Sequence, residues 1–157
     1  MRVEFRKAEV PRELRGLVDF DHKVFPRADW FPPSYWKTCE SYWMLVDGVK
    51  AGCSAFDLDS DDDGPLPHGS LYIASTGILP KFQGIGLGRL MKAWQITYAS
   101  RNGFSRIVTT ARRKNVAMIS LNKAFGFRVV NKIPNYYAEP ADAAVVMELR
   151  LKPRSGR

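Results

Sequence analysis

The sequence predicts a mixed α/β chain of the α+β kind, with helices interrupting a central sheet of parallel and antiparallel strands. Three observations predict it. Asp47-Gly48 stands between two β-prone runs, a short hairpin signal that gives an antiparallel pair. A glycine-dense turn from Gly84 to Gly88 joins an apolar strand to a helical repeat, the opening of a crossover. Asn115 to Gly126 carries a helix start and stop and returns to β-prone residues at Phe127.

The elements follow in order. Val3 to Lys7 alternates like a strand, and Pro11 then suits a first helical turn, with Leu14, Leu17 and Val18 as the apolar face ending near Asp21. Pro32-Pro33-Ser34 marks a second helix entry, continuing through Tyr35 and Trp36. Ser41 to Val46 and Val49 to Phe56 are the hairpin strands, and Ser70 to Leu79 is a strand closed by Pro80. Leu87, Leu90, Met91, Trp94 and Tyr98 repeat at helical spacing until Asn102-Gly103 stops them. Arg106 to Thr110 is a strand. Asn115 caps a helix whose stripe is Met118, Leu121 and Phe125, and Gly126 suits the position after its end. Phe127 to Asn131 and Ala143 to Leu151 finish the sheet, giving the order β-α-α-β-β-β-α-β-α-β-β.

At 157 residues with 45 % apolar content, the chain fits one domain, residues 1–151, with a short basic tail at 152–157. No apolar run approaches a membrane span, and the start lacks the apolar core of a signal peptide. Cys39 and Cys53 have neither metal spacing nor a bridge framework, so a reduced, cytoplasmic protein is expected. The net charge of +8 raises nucleic-acid binding. No zinc spacing, aromatic RNA-binding signature or basic helix accompanies it, and a basic surface equally suits a phosphate-bearing co-substrate. The sequence leaves monomer and homodimer open.

The turn after Pro80 carries the chemistry. Gly84, Gly86 and Gly88 allow close backbone approach, and the helix start that follows offers free N–H groups and a positive dipole end to an anion. A P-loop requires Lys-Ser or Lys-Thr after its last glycine, and Arg89-Leu90 is neither. A dinucleotide fingerprint starting at Gly84 needs glycine at 89, which is arginine, and no acidic residue follows at ribose distance. The remaining pattern, Gln83-x-x-Gly86-x-Gly88, resembles the acetyl-coenzyme A loop of the GNAT acetyltransferases. The Asn115 helix with its Gly126-Phe127 ending is similar to the GNAT helix that borders the pantetheine arm.

The resemblance covers about residues 70 to 150 and implies a sheet splayed between its fourth and fifth strands, where the cofactor wedges. It implies that backbone groups of Ile78 and Leu79 hold the pantetheine and polarise the carbonyl. N–H groups of Gln83, Gly84, Ile85, Gly86, Leu87, Gly88 and Arg89 are implied to bind the pyrophosphate, beside Asn115, Asn122 and Phe125 of the following helix. Many members place a proton-donating tyrosine where this chain has Asn122, and an amide cannot give up a proton at neutral pH.

Asn135-Tyr136-Tyr137 to Asp142-Ala143 resembles the Tyr-Tyr loop of N-terminal (Nα) protein acetyltransferases, and Phe25-Pro26 their peptide entrance. This makes Phe25, Pro26 and Tyr136 acceptor-side candidates. Tyr72 and Tyr137 are the proton-handling candidates. One branch pairs a tyrosine matching Tyr72 with a histidine whose position here is Thr110.

Asp59-Ser60-Asp61-Asp62-Asp63-Gly64 imitates the start of a calcium loop, but the required glutamate falls at Ser70, and Pro65 and Pro67 disturb it. A solvated acidic turn is expected, with a charge that could draw a cationic acceptor. His22 and His68 are expected to be structural, and no metal site is expected. The resulting expectation is acetyl transfer from acetyl-CoA to a primary amine by direct attack, the acceptor a peptide or protein α-amine. The alternatives are a small-molecule amine acceptor and a catalytically poor acyl-CoA-binding sensor.

Overall fold

The computed structural model describes residues 1–62 and 64–152. Its elements are β1 (Val3–Lys7), α1 (Leu14–Val24), α2 (Pro33–Thr38), β2 (Glu40–Val46), β3 (Val49–Asp57), β4 (Ser60–Asp61) and β5 (Gly64–Pro65). There follow β6 (Ser70–Ile78), α3 (Leu87–Arg101), β7 (Arg106–Arg112), α4 (Val116–Ala124), β8 (Arg128–Ala138) and β9 (Ala141–Arg150). Seven strands run in the order β1-β2-β3-β6-β7-β9-β8, and β4 with β5 makes a separate ribbon. β6 pairs β7 in parallel, while β1–β2, β2–β3, β7–β9 and β8–β9 are antiparallel, so the sheet is mixed as predicted. The β4–β5 ribbon is an addition the sequence pattern did not suggest. Of the expected tail, only Lys152 lies within the described residues. Residue contacts divide the chain into two compact units, Met1–Leu58 with Ala74–Met91, and Asp59–Ile73 with the chain from Lys92 onward.

In the first unit, Asp47 and Gly48 both take positive φ, 48° and 81°, which is the backbone a tight β2–β3 hairpin requires. Alternation gives β2 two apolar faces. Trp43 packs in a cluster with Leu17, Phe20, Trp36, Cys39 and Cys53, whereas Met44 and Val46 join Ala51, Leu87 and Met91. The β2–β3 register shifts between Met44 and Leu45: Met44 faces Gly52 and Leu45 faces Lys50, which leaves Ala51 as the extra residue of a bulge.

α1 starts at Leu14, later than expected, because Val10 to Glu13 turn first and Glu13 becomes a polar hub. Its carboxylate accepts from Arg6 Nη1 at 3.0 Å, Lys50 Nζ at 3.1 Å, Trp43 Nε1 at 3.0 Å and the Glu9 N–H at 2.9 Å. The Arg6 guanidinium foremost, aided by these other donors, holds the Glu13 carboxyl down at about 2.

In the second unit, strand pairing sorts side chains onto two faces. Tyr72 pairs with Val108, Val108 with Glu148 and Thr110 with Val146, so these share a face; Thr109 and Met147 lie on the other. The helix α4 sits on that second face through Asn122, whose Nδ2 contacts Met147 Sδ at 3.6 Å. The expected stripe of Met118, Leu121 and Phe125 is only half-buried, and Asn122 is the helix residue with no exposure.

β8 runs on to Ala138 instead of stopping near Asn131, and Tyr137 pairs with Asp142. The Tyr136-Tyr137 pair therefore lies in a strand end, past an irregularity at Ile133–Tyr137 where Asn135 takes φ 55°. α3 also differs from its predicted stripe: Leu90 is exposed, whereas Lys92 and Gln95 are buried, as are Met91 and Ala99. Lys92 Nζ stands 5.3 Å from the Phe127 ring centroid, and burial lowers its amine to about 8.

Two outcomes follow from this packing. Asn122→Tyr forces a ring into a site without exposure and costs about 1–3 kcal/mol, read as a lowered Tm; an unchanged Tm would contradict the placement. Glu13→Gln costs about 1–2 kcal/mol at neutral pH. Because the native Glu13 carboxyl is depressed, its contribution is complete above the ordinary glutamate range and disappears as pH falls towards about 2. Denaturant melts across that window should converge for wild type and variant; parallel curves would refute the hub.

Candidate active site

The glycine turn belongs to the first unit, and the bulge aims it. The Ala51 carbonyl, exposed by the bulge, accepts the Leu79 N–H at 2.9 Å and fixes the end of β6. A short turn at Pro80–Phe82 follows, closed by Phe82 N–H to the Leu79 carbonyl and Gln83 N–H to the Pro80 carbonyl. Gln83 Nε2 reaches back to the Ile78 carbonyl at 2.9 Å. Gln83 therefore braces the turn with its side chain, and its own amide is already engaged, unlike the sequence expectation.

Beyond it the chain opens. Gly84 and Gly86 have φ of 81° and 89°, and a Cβ on either would meet no atom within 4 Å. Among the described residues, no backbone carbonyl accepts the N–H groups of Gly84 to Gly88; the first taken is that of Leu90, by the Gly86 carbonyl at 3.2 Å. Leu87, buried, seats the first turn of α3 in the core. Exposed donors at a helix start, with the dipole's positive end behind them, form an anion cradle. Its donor set and open floor fit the diphosphate of a coenzyme A thioester.

Phe25 lies in the same unit, against the strand that enters the turn. A Cβ on Gly77 would lie 3.3 Å from the Phe25 ring and as near to Val24 and Phe20, so only glycine lets these side chains close on β6. The Phe25 carbonyl accepts Trp30 Nε1 at 2.8 Å, which fixes the Phe25-Pro26 corner. Nearby, Asp21 is buried and takes the Phe31 N–H at 3.0 Å; burial raises its carboxyl.

The remaining candidates are in the second unit. Asn115 caps α4, its Oδ1 accepting the Met118 N–H at 3.2 Å, and Gly126 takes φ 95° at the helix exit. Phe125 is half-buried at that exit, and the Asn122 carbonyl accepts both the Phe125 and Phe127 N–H groups. Asn122 Oδ1 is buried with no partner among the described residues. Tyr72 and Asn122 attach to opposite faces of the β7–β9 sheet, so the two cannot share one proton step within this unit.

Tyr72 instead meets the acidic turn. Asp62 Oδ2 accepts Tyr72 Oη at 3.0 Å and Thr110 Oγ1 at 2.9 Å, and Oδ1 accepts Tyr136 Oη at 2.5 Å. Tyr72 and Thr110 are 3.3 Å apart. The turn expected to be solvated is in fact anchored through Asp62; Asp63 lies outside the described residues. Burial first, and then the Asp62 charge, raise the Tyr72 phenol well above its ordinary range, so it is a neutral hydroxyl. Tyr137 lies under Arg112, whose guanidinium is 4.2 Å from the ring centroid while donating to the Glu139 and Pro140 carbonyls. Sequence reasoning weighed Asp62 only as part of an acidic run and Thr110 only as a missing histidine. Neither carries a local signal that would pair them across the fold.

The fold and cradle can be set beside known proteins. The model of the acetyltransferase (GNAT) family matches residues 11–127. The curated "Probable N-acetyltransferase san" of Drosophila melanogaster is 33% identical over 81 residues, 50% of this chain, and that stretch is 44% of the relative's own length. Among solved structures, the ribosomal-protein-S18-alanine N-acetyltransferase of Escherichia coli superposes with a TM-score of 0.80 at 16% identity, over 99% of this chain and 97% of that one. Arabidopsis thaliana Naa50, in complex with the bisubstrate analogue CoA-Ac-MVNAL, gives 0.80 at 22%, over 96% and 100%. At these identities the structural likeness is one of fold. With its family model spanning well over half of the residues, the chain belongs to the GNAT family of acetyltransferases.

Proposed function

We propose that the chain is an acetyl-CoA-dependent N-acetyltransferase whose acceptor is the α-amine of a peptide or protein. The observation that carries the reading is the open cradle of unpaired amides from Gly84 to Gly88 at the start of α3. Acetyl-CoA, when bound, supplies an acetyl group activated as a thioester. The chain's residues do the rest. Gly84 to Gly88 and the Arg89 charge hold the diphosphate, and Gln83 fixes the turn through Ile78. Ile78 and Leu79 backbone groups align the thioester, and Asn115, Asn122 and Phe125 border the pantetheine.

A peptide acceptor is supported by Phe25 and Pro26 at their fixed corner and by Tyr136 beside Tyr137, ring centroids 4.8 Å apart. The E. coli S18-alanine enzyme and the Naa50 complex with a peptide-bearing analogue, both similar in fold, point the same way. Arg112 over its ring gives Tyr137 a wall-forming role beside any part in proton transfer. Cys39 and Cys53 are free and buried, and burial pushes the Cys39 thiol up to about 12, which suits a reducing, cytoplasmic setting.

Purified protein assayed for CoA release with acetyl-CoA and a panel of free-N-terminus peptides, N-blocked peptides and small amines tests the reading. Turnover on free-N-terminus peptides at least about tenfold above the others supports it, a factor of ten being about 1.4 kcal/mol of transition-state preference. Preference for a small amine would contradict the acceptor, and CoA binding without turnover would replace the enzyme with a sensor. Gly86→Val tests the cradle itself. Its Cβ meets no protein atom, so the fold persists with a strain cost of about 1–3 kcal/mol at the positive φ. Calorimetry should show CoA affinity reduced at least about tenfold, because the branched side chain stands where the phosphate approaches. Undiminished affinity would contradict the cradle.

A further inference from the structure

An acceptor amine arrives mostly as an ammonium near neutral pH and must lose a proton before it can attack a thioester. Neither the sequence nor the α4 helix supplies a base for this. Among the described residues, Asp62 is the carboxylate on which side chains of three different strands converge: Tyr72 of β6, Thr110 of β7 and Tyr136 of β8. An ionised carboxylate can only accept hydrogen bonds. Each of these hydroxyls therefore points its proton at Asp62 and turns its lone pairs outwards. The result is a set of acceptor oxygens backed by a negative charge, which is the complement of an ammonium group.

Exposure is graded in the direction a relay needs. Tyr72 is buried, Thr110 is partly buried, and Asp62 itself is open to water. The charged and titratable groups around Asp62 are Tyr72 from β6 and Tyr136 from β8. Arg112 of β7 stands one ring further off, over Tyr137, and Asp59 and Asp61 belong to the same turn. Asp62 is thus held by neutral hydroxyls, and among the described residues no cation is paired with it in place of the acceptor.

We propose that Asp62 is the terminal proton acceptor of a hydroxyl relay that neutralises the acceptor amine, with Tyr72 as the link between them. The inference rests on the N-acetyltransferase reading above. In the step, one N–H bond of the ammonium breaks and its proton forms a bond to Tyr72 Oη. The proton that Tyr72 held passes to Asp62 Oδ2. The products are a neutral amine with a free electron pair, an unchanged phenol and a protonated Asp62, which returns its proton to water. No charge or electron is gained or lost overall. Because the phenol is held neutral by burial and by Asp62, Tyr72 serves as a conduit instead of a base. Asp62 acts through Tyr72 and so positions and drains it without touching the reacting carbon.

The test compares wild type, Asp62→Asn and Tyr72→Phe, with acetyl-CoA and a free-N-terminus peptide, across pH. Near pH 7 both variants should lose about 10–100-fold in kcat/KM, within the usual range for one acid–base group. The gap should close to about threefold near pH 9.5, where an α-amine with a pKa of about 8 is already neutral. A second readout needs no turnover. The Asp62 charge raises the Tyr72 phenol, so one tyrosine in Asp62→Asn should titrate at lower pH by ultraviolet absorbance. Wild-type rates near pH 7 in either variant, or a deficit that stays constant across pH, would overturn the relay. An unshifted tyrosine titration would overturn the Asp62–Tyr72 bond on which it stands. If Asp62→Asn fails to fold by circular dichroism, Tyr72→Phe decides alone, by its pH profile. Absence of transfer by the wild-type chain to any amine would overturn the enzymatic reading and the relay together.

Discussion

The site depends on a run of backbone amides that the fold leaves without partners. Five consecutive N–H groups, Gly84 to Gly88, stand at the entrance of α3 where intrahelical bonding has not yet begun. Buried, such donors would each cost free energy; exposed, they are hydrated and ready to exchange water for phosphate. What keeps them exposed and in line is built on either side. Upstream, the Ala51 bulge and the Gln83 side chain clamp the end of β6. Downstream, Leu87 and Met91 are buried with Met44 and Val46, so the helix start cannot drift.

Glycine is required at the two positive-φ positions for a reason that packing does not supply. A Cβ at Gly84 or Gly86 would strike nothing in the protein, whereas at Gly77 and Gly52 it would crowd neighbours near 3 Å. The first pair is kept small for conformation and for an incoming ligand; the second pair is kept small for the core. Gly52 borders Met91 and Met44, and Gly77 borders Phe20, Val24 and Phe25, so the core glycines bring α1 and α3 close to the strands that carry the turn.

Much of this was legible in the sequence because local rules governed it. Asp47-Gly48, the Asn115 cap and the Gly126 stop behave as their residue types require, and the element order follows from the punctuation between them. Where tertiary pairing governs, the sequence was silent. β8 extends through Pro134 to Ala138 because Tyr137 and Ala138 find partners in Asp142 and Ala141, and Arg112 holds the turn between them. Asn122 lies inside because it contacts Met147 across the sheet, a partner 25 positions away. Asp62 lies 10, 48 and 74 positions from the three hydroxyls it joins, and no spacing within an acidic run announces such a convergence. The cradle was readable as a motif, while the acceptor-side network emerged only from the register of β6, β7 and β8.

Everything proposed for the site requires that those amides bind the coenzyme. A ¹⁵N-labelled sample titrated with CoA reports each N–H separately. The largest amide shifts are expected on Gly84 to Arg89, with Leu79 and Gln83, already bonded to Ala51 and Pro80, responding less. Saturation with CoA while the Gly84–Gly88 signals stay in place would contradict the cradle.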